Sequence, residues 1–201
     1  MWKRLAHLSF WLGASLYFGG LVSIGAIAAP GVFHVTTHTA ITMPGIAPSL
    51  NMGNQVGGEI FGEVLNRFVW IEVIGSALLL FGIGVPLVSH RPVRRSISIL
   101  FSLWLALVVL LGYTAGYLHP QVWHMREVLR ASAMTQPAPP PNATQPVTWP
   151  EKAEFDSLHA RAETLARIKV YILLGMIVLG AMRGVTEASV RVRKTEEKAA
   201  T

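Results

Sequence analysis

From Phe68 to Val88 the chain carries a single ionisable side chain, Glu72. A run this apolar is long enough to cross a hydrocarbon core, which takes about 20 residues as a helix. Inside lipid every backbone N–H and C=O must be satisfied within the segment, so the run is predicted to be helical. Leu5–Ala29 and Ile97–Leu118 have the same character. A fourth stretch, Ile168–Met182, is shorter and contains Lys169, with Arg183 just beyond it. Long basic side chains near span ends reach outward to the interface, and Lys169 and Arg183 are expected to do so here. The composition agrees: 52% of the 201 residues are hydrophobic and 14% are charged, against about 25% charged in soluble domains. The expected fold is all-α: a four-transmembrane-helix bundle with helical extensions on the extracytoplasmic side.

The start of the chain, "MWKR" followed by an apolar run and "AIAA", imitates a secretory signal with a small-residue cleavage site. A signal's apolar region lasts about 7–15 residues. Here the run continues past the small residues into "PGVF", and an uncleaved first span is expected. Four spans place the N-terminus, the connection between the second and third spans, and the C-terminus on one side. That side holds Lys3, Arg4, Arg91, Arg94, Arg95, Arg183, Arg191, Arg193, Lys194 and Lys198 against Glu187, Glu196 and Glu197. Short segments rich in Lys and Arg stay inside, so this side is expected to be cytoplasmic and the protein to lie in the inner cell membrane. The basic rim suits anionic headgroups, which makes the lipid bilayer its first partner. No basic face interleaved with aromatics supports nucleic-acid binding. The chain has no cysteine, which removes disulfides and thiolate chemistry.

The membrane domain is expected to cover residues 1–185, with spans at about 5–29, 68–88, 97–118 and 168–185, and a charged cytoplasmic tail over 186–201. On the outer side, "TMPGIAPSLNMGNQVGG" reads as loop. It precedes "EIFGEVLNRF", whose apolar residues fall at helical spacing. After the third span "HPQVWHMREVLR" keeps a helical pattern, with a kink expected at Pro120. A Pro-rich tether follows over 132–150, and "EKAEFDSLHARAETLARIKV" resumes the helical pattern into the fourth span. Small residues let membrane helices approach closely. The candidates are Ser15, Gly19 and Ser23 in the first span, Gly75, Gly82 and Gly84 in the second, and Gly112, Ala115 and Gly116 in the third.

The runs "WLGASLYFGGLVSIGAIAAPGVFHV", "GEIFGEVLNRFVWIEVIGSALLL" and "EFDSLHARAETLARIKVYILLG" resemble the transmembrane-protein-205-like family, the domain of unknown function 4149. The resembling positions are Gly20, Pro30 and Phe33, then Phe61 and Arg67, then Phe155, Leu158 and His159. The resemblance spans most of the chain apart from the tether and tail, and it implies a small four-helix integral membrane protein with no established reaction. Where such proteins often carry serine and asparagine after the histidine, this chain has Ala162 and Ala166. More distantly, the design is similar to small bundles of the copper-resistance D type, some of which bind metal or haem through histidines near a helix end.

The chemistry-bearing residues divide between the outer side and the span interior. His34, His38, His119, His124 and His159 all fall toward the outer side, from three different helices. Imidazole suits copper, zinc, iron or nickel, so a site would need three or four of these rings to converge on a transition metal or haem. Histidine is equally at home where a helix leaves the apolar layer, and the five positions are explained by either reading. Glu72 is an ionisable group inside a span, which is costly enough to mark a function or a partner. It sits about one turn into its span, where it can reach interfacial water, pair with Arg67 or Lys169, or serve a proton or solute role. Glu163 and Arg167 form an i,i+4 pair with His159 on their face. No nucleophile or phosphate loop accompanies them, and no enzymatic activity is expected. The expected role is that of a small non-enzymatic membrane protein of the cell envelope, alone, as a homo-oligomer or with another membrane protein. The alternatives are a metal- or haem-binding module and a small-solute transporter or channel subunit.

Overall fold

Four helical rods carry the chain, and each is longer than a bilayer is thick. A computed structural model describes residues 1–38, 52–89, 95–135 and 150–199, all in helical elements apart from Met1. The first rod joins α1 (Trp2–Ser23), a π turn π1 (Ile24–Ala28) and α2 (Ala29–His38). The second is α3 (Met52–Ser89). The third joins α4 (Arg95–Tyr113), π2 (Thr114–Leu118) and α5 (His119–Thr135), and the fourth is α6 (Pro150–Ala199). Their apolar stretches, Arg4–Thr37, Val56–Val88, Arg95–Leu129 and Glu151–Arg183, each run 33 to 35 residues. At 1.5 Å per residue these are about 50 Å long, whereas the hydrocarbon core is about 30 Å. Each therefore overshoots the core by several turns.

Packing closes the rods into a ring. The first lies against α3, α3 against α4, α4 against α6, and α6 back against α1. One end of the ring carries Met1, Ser89, Arg95 and Arg183; the other, the cap end, carries His38, Met52, Thr135 and Pro150. Phe10, Ala14, Tyr17, Leu79, Ile83, Ile97, Leu107, Leu173 and Met176 fill the centre, drawn from all four rods. Large apolar side chains such as Ile27, Trp70, Val109 and Tyr171 point outward, each more than half exposed. That inverts the pattern of a water-soluble bundle and suits a lipid surround.

The two π turns have a common cause. Pro30 and Pro120 each stand two residues beyond a π turn. A helical proline lacks the N–H that would bond the carbonyl four residues back, and its ring crowds that carbonyl. Those carbonyls belong to Ala26 and Gly116, the central residues of π1 and π2. The chain widens there instead of breaking: Ala29 N–H donates to Ile24 O, and His119 N–H donates to Thr114 O, both i→i−5 bonds. The interruption expected at Pro120 thus takes the form of a π turn, and Pro30 produces a second one.

Close approach of α1 and α3 rests on glycine. A Cβ added to Gly82 would lie 2.6 Å from Phe10 Cβ and 2.8 Å from Ala6 O. One added to Gly13 would lie 2.7 Å from Gly75 O. The expected contacts through Gly75 and Gly82 are therefore present. Those through Ser15, Gly19, Ser23, Gly84, Gly112 and Gly116 are not: the glycines have open space at their Cβ positions, and Ser15 and Ser23 are exposed.

Helix is also more extensive than the sequence implied. The loop expected over "TMPGIAPSLNMGNQVGG" already becomes helix at Met52, while residues 39–51 lie outside the described set. Helix α5 runs to Thr135 and α6 begins at Pro150, so of the tether only 136–149 lies outside the described set. The tail is a continuation of α6 as far as Ala199. At the cap end α2 packs on α3 and α5 on α6. Arg126 joins α5 to α3, donating to Gly58 O at 3.0 Å and Glu59 Oε2 at 2.9 Å. Its guanidinium also lies 4.4 Å above the Trp123 ring.

Candidate functional site: a buried polar junction

Each rod contributes one polar side chain to a single point inside the ring. Glu72 is the midpoint of its 33-residue apolar stretch. Tyr17, Thr114 and Lys169 lie within a turn of the midpoints of theirs. All are buried, with exposures of 0% for Tyr17, 3% for Glu72, 3% for Thr114 and 4% for Lys169. Lys169 Nζ donates to Glu72 Oε1 at 2.9 Å and to Thr114 Oγ1 at 3.0 Å. The ion pair runs across the ring from α6 to α3, and Thr114 and Tyr17 approach from the two remaining rods.

Local structure aims these groups. Thr114 opens π2, and its hydroxyl also donates to Leu110 O at 2.8 Å, which anchors the side chain against its own helix. One turn below Glu72 on α3, the Trp104 indole N–H donates to Ser76 O at 2.9 Å and lies 3.1 Å from Ser76 Oγ, which ties α4 to α3. Above and below, the register is apolar and buried, with Phe68 and Leu118 one turn toward the cap and Leu79, Leu107, Leu173 and Met176 toward the other end. A salt bridge in such a setting gains strength from the low dielectric but must offset the loss of hydration on both ions.

The junction has spare hydrogen-bonding capacity. An ammonium has three donors and a carboxylate about four acceptor sites, and the contacts above use only part of both. The Tyr17 hydroxyl is buried beside the Glu72 carboxylate yet closes no hydrogen bond of its own. Just above, His119 begins α5, half-buried and within electrostatic reach of Lys169.

Lys169 does not reach outward as expected for a residue near a span end. It turns inward because Glu72 and Thr114 offer it a charge and an acceptor that lipid cannot supply. Glu72 is likewise sealed in protein and does not sit at interfacial water. Of its two expected partners, Lys169 is the one it meets; Arg67 bonds Glu63 instead, at 2.8 Å. Tyr17 and Thr114 were missed in the sequence, since both read as ordinary span residues.

The outer histidines are spread along the cap end. His34 and His124 are exposed, on α2 and α5. His159 stacks on Phe155 with centroids 5.9 Å apart and lies 3.4 Å from Glu163, which also accepts from Arg167 at 3.2 Å. The side chain of His38 lies outside the described set. Among the described residues no three of His, Asp and Glu come together as a metal would require. An open apolar groove lies on the outward face of α3, lined by Ala77, Leu80, Phe81, Gly84, Val85 and Val88, away from Glu72.

No family model, curated protein or solved structure matches this chain.

Proposed function

We propose that this chain is a small, non-enzymatic, multi-pass protein of the inner cell membrane, of the kind its resemblance to the transmembrane-protein-205-like family implies. Both termini face the cytoplasm and the cap end faces outward. The polar junction acts as a lock that sets the register of four helices which lipid alone would leave free to slide. One observation carries this reading: the ring exposes many large apolar side chains and hides, at the centre of all four rods, the only buried charge pair among the described residues. Lipid offers no hydrophobic drive between helices, so packing and polar contacts must supply the specificity.

Single-cysteine mapping tests the placement without background, because the chain contains no cysteine. Arg4→Cys is expected to react with an impermeant thiol reagent only after the cytoplasmic side is opened. Glu154→Cys is expected to react in intact cells. The opposite pattern would overturn the orientation, and release of the protein by alkaline carbonate would overturn the membrane reading itself.

A further inference from the structure

We infer that the junction of Tyr17, Glu72, Thr114 and Lys169 is a proton-binding site, entered from the cap end by way of His119.

The geometry supplies each part. Glu72 is the only carboxylate at the junction among the described residues, and its Oε1 accepts from Lys169. Tyr17 presents from α1 a hydroxyl that is fully buried, unpartnered and beside that carboxylate. Thr114 holds the ammonium from the third rod at 3.0 Å, so Lys169 keeps a partner when Glu72 becomes neutral. A proton passed inward breaks an N–H bond of the His119 imidazolium, itself recharged from water, and forms one O–H bond on the Glu72 carboxylate. The neutral acid then donates to Tyr17 Oη, while Lys169 stays on Thr114 Oγ1. Both protonation states thus have acceptors in place, which a purely structural pair does not need.

The route follows from π2. In the π turn the His119 backbone N–H bonds Thr114 O in an i→i−5 bond, and the half-buried His119 begins α5 on the cap side of Thr114. A half-buried imidazole exchanges protons with water and can pass them inward. Chains of Glu and His inside membranes serve this use. The groups facing Glu72 are Tyr17 from α1, Thr114 from π2 and Lys169 from α6, with His119 of α5 within electrostatic reach of Lys169. The Arg126–Glu59 pair belongs to the α3–α5 contact at the cap.

The inference rests on the membrane reading, which alkaline extraction and thiol mapping test separately. Infrared titration of the full-length protein in lipid nanodiscs reads the site itself. On acidification from about pH 8 to about pH 4, a carboxylic-acid carbonyl band is expected that is lost in Glu72→Gln. Tyr17→Phe removes one hydroxyl and keeps the packing. It is expected to retain the band, with its frequency changed by the missing hydrogen bond and its midpoint displaced by about one pH unit. His119→Phe is expected to slow the appearance of the band after a pH jump by about tenfold or more. A band unaffected by Glu72→Gln in folded protein would overturn the proton site, as would its absence from the wild type. If Glu72→Gln does not fold, a Tyr17→Phe band identical in frequency and midpoint to wild type would overturn it instead. An unchanged rate in His119→Phe would overturn the route.

Discussion

Lys169 is the residue whose environment departs furthest from its ordinary one. Its ammonium is held among helices by one carboxylate and one hydroxyl. Removing one partner of such a pair strands the other charge, at a cost of about 3–5 kcal/mol. Lys169→Met is therefore expected to lower the thermal midpoint in detergent sharply. The double variant Glu72→Met with Lys169→Met is expected to recover most of the loss, because apolar residues of similar volume can replace a buried pair at little cost. Circular dichroism during heating separates the two outcomes, and equal loss in both variants would argue against a pair held by charge. The sequence made Glu72 conspicuous, since one acid in an apolar run stands out. It also offered Lys169 as one of two partners for that acid, but not the inward turn of its side chain, because a lysine near a span end has an easier position available in the headgroups. Tyr17 and Thr114 stayed hidden for another reason: neither residue type is costly in a span until its hydroxyl must find a partner.

Among the helices, the closeness of α1 and α3 decides how tightly the ring shuts. Gly82 and Gly84 stand two residues apart on α3 and offer an internal comparison. At Gly82 a methyl group would meet Phe10 and the Ala6 carbonyl below 3.0 Å; at Gly84 it would meet nothing within 4 Å. Gly82→Ala is expected to destabilise by about 1–3 kcal/mol through overpacking. Gly84→Ala is expected to be neutral or slightly stabilising, since glycine is the poorer helix former. Thermal unfolding of the two variants side by side checks the contrast. The four long apolar helices were legible from apolar runs alone, and Gly75 and Gly82 were legible as contact residues. The stripe through Ser15, Gly19 and Ser23 was not, because small residues at helical spacing do not say which face meets a neighbour. Counting along a uniform 3.6-residue period also loses phase at π1 and π2, where each wide turn resets the faces that follow. The cap histidines of α2 and α5 follow those turns, so the face of the span below does not say which way they point.

Across the whole molecule the ring divides into two helical hairpins, one made of the first rod with α3 and the other of the third rod with α6. Contacts of α3 with α4 and of α1 with α6 join them, and the Glu72–Lys169 pair crosses between them. Residues 1–90 and 91–201 expressed as separate chains are expected to co-purify from the membrane. The complex is expected to be lost in Glu72→Lys and recovered when Lys169→Glu is added. Failure of the reversed pair to restore it would point to apolar packing as the joining force.

The same division bears on how the protein is made. On the membrane reading proposed above, Glu72 and Tyr17 would enter the bilayer with the first hairpin, and Thr114 and Lys169 with the second. For the interval of synthesis between them, the first hairpin would hold Glu72 without Lys169, the partner it meets in the finished fold. The nascent chain thus has a reason to stay beside the insertion machinery, or to keep Glu72 protonated, until the last helix emerges. Completion of the fourth helix would then be the event that frees the finished protein into the bilayer.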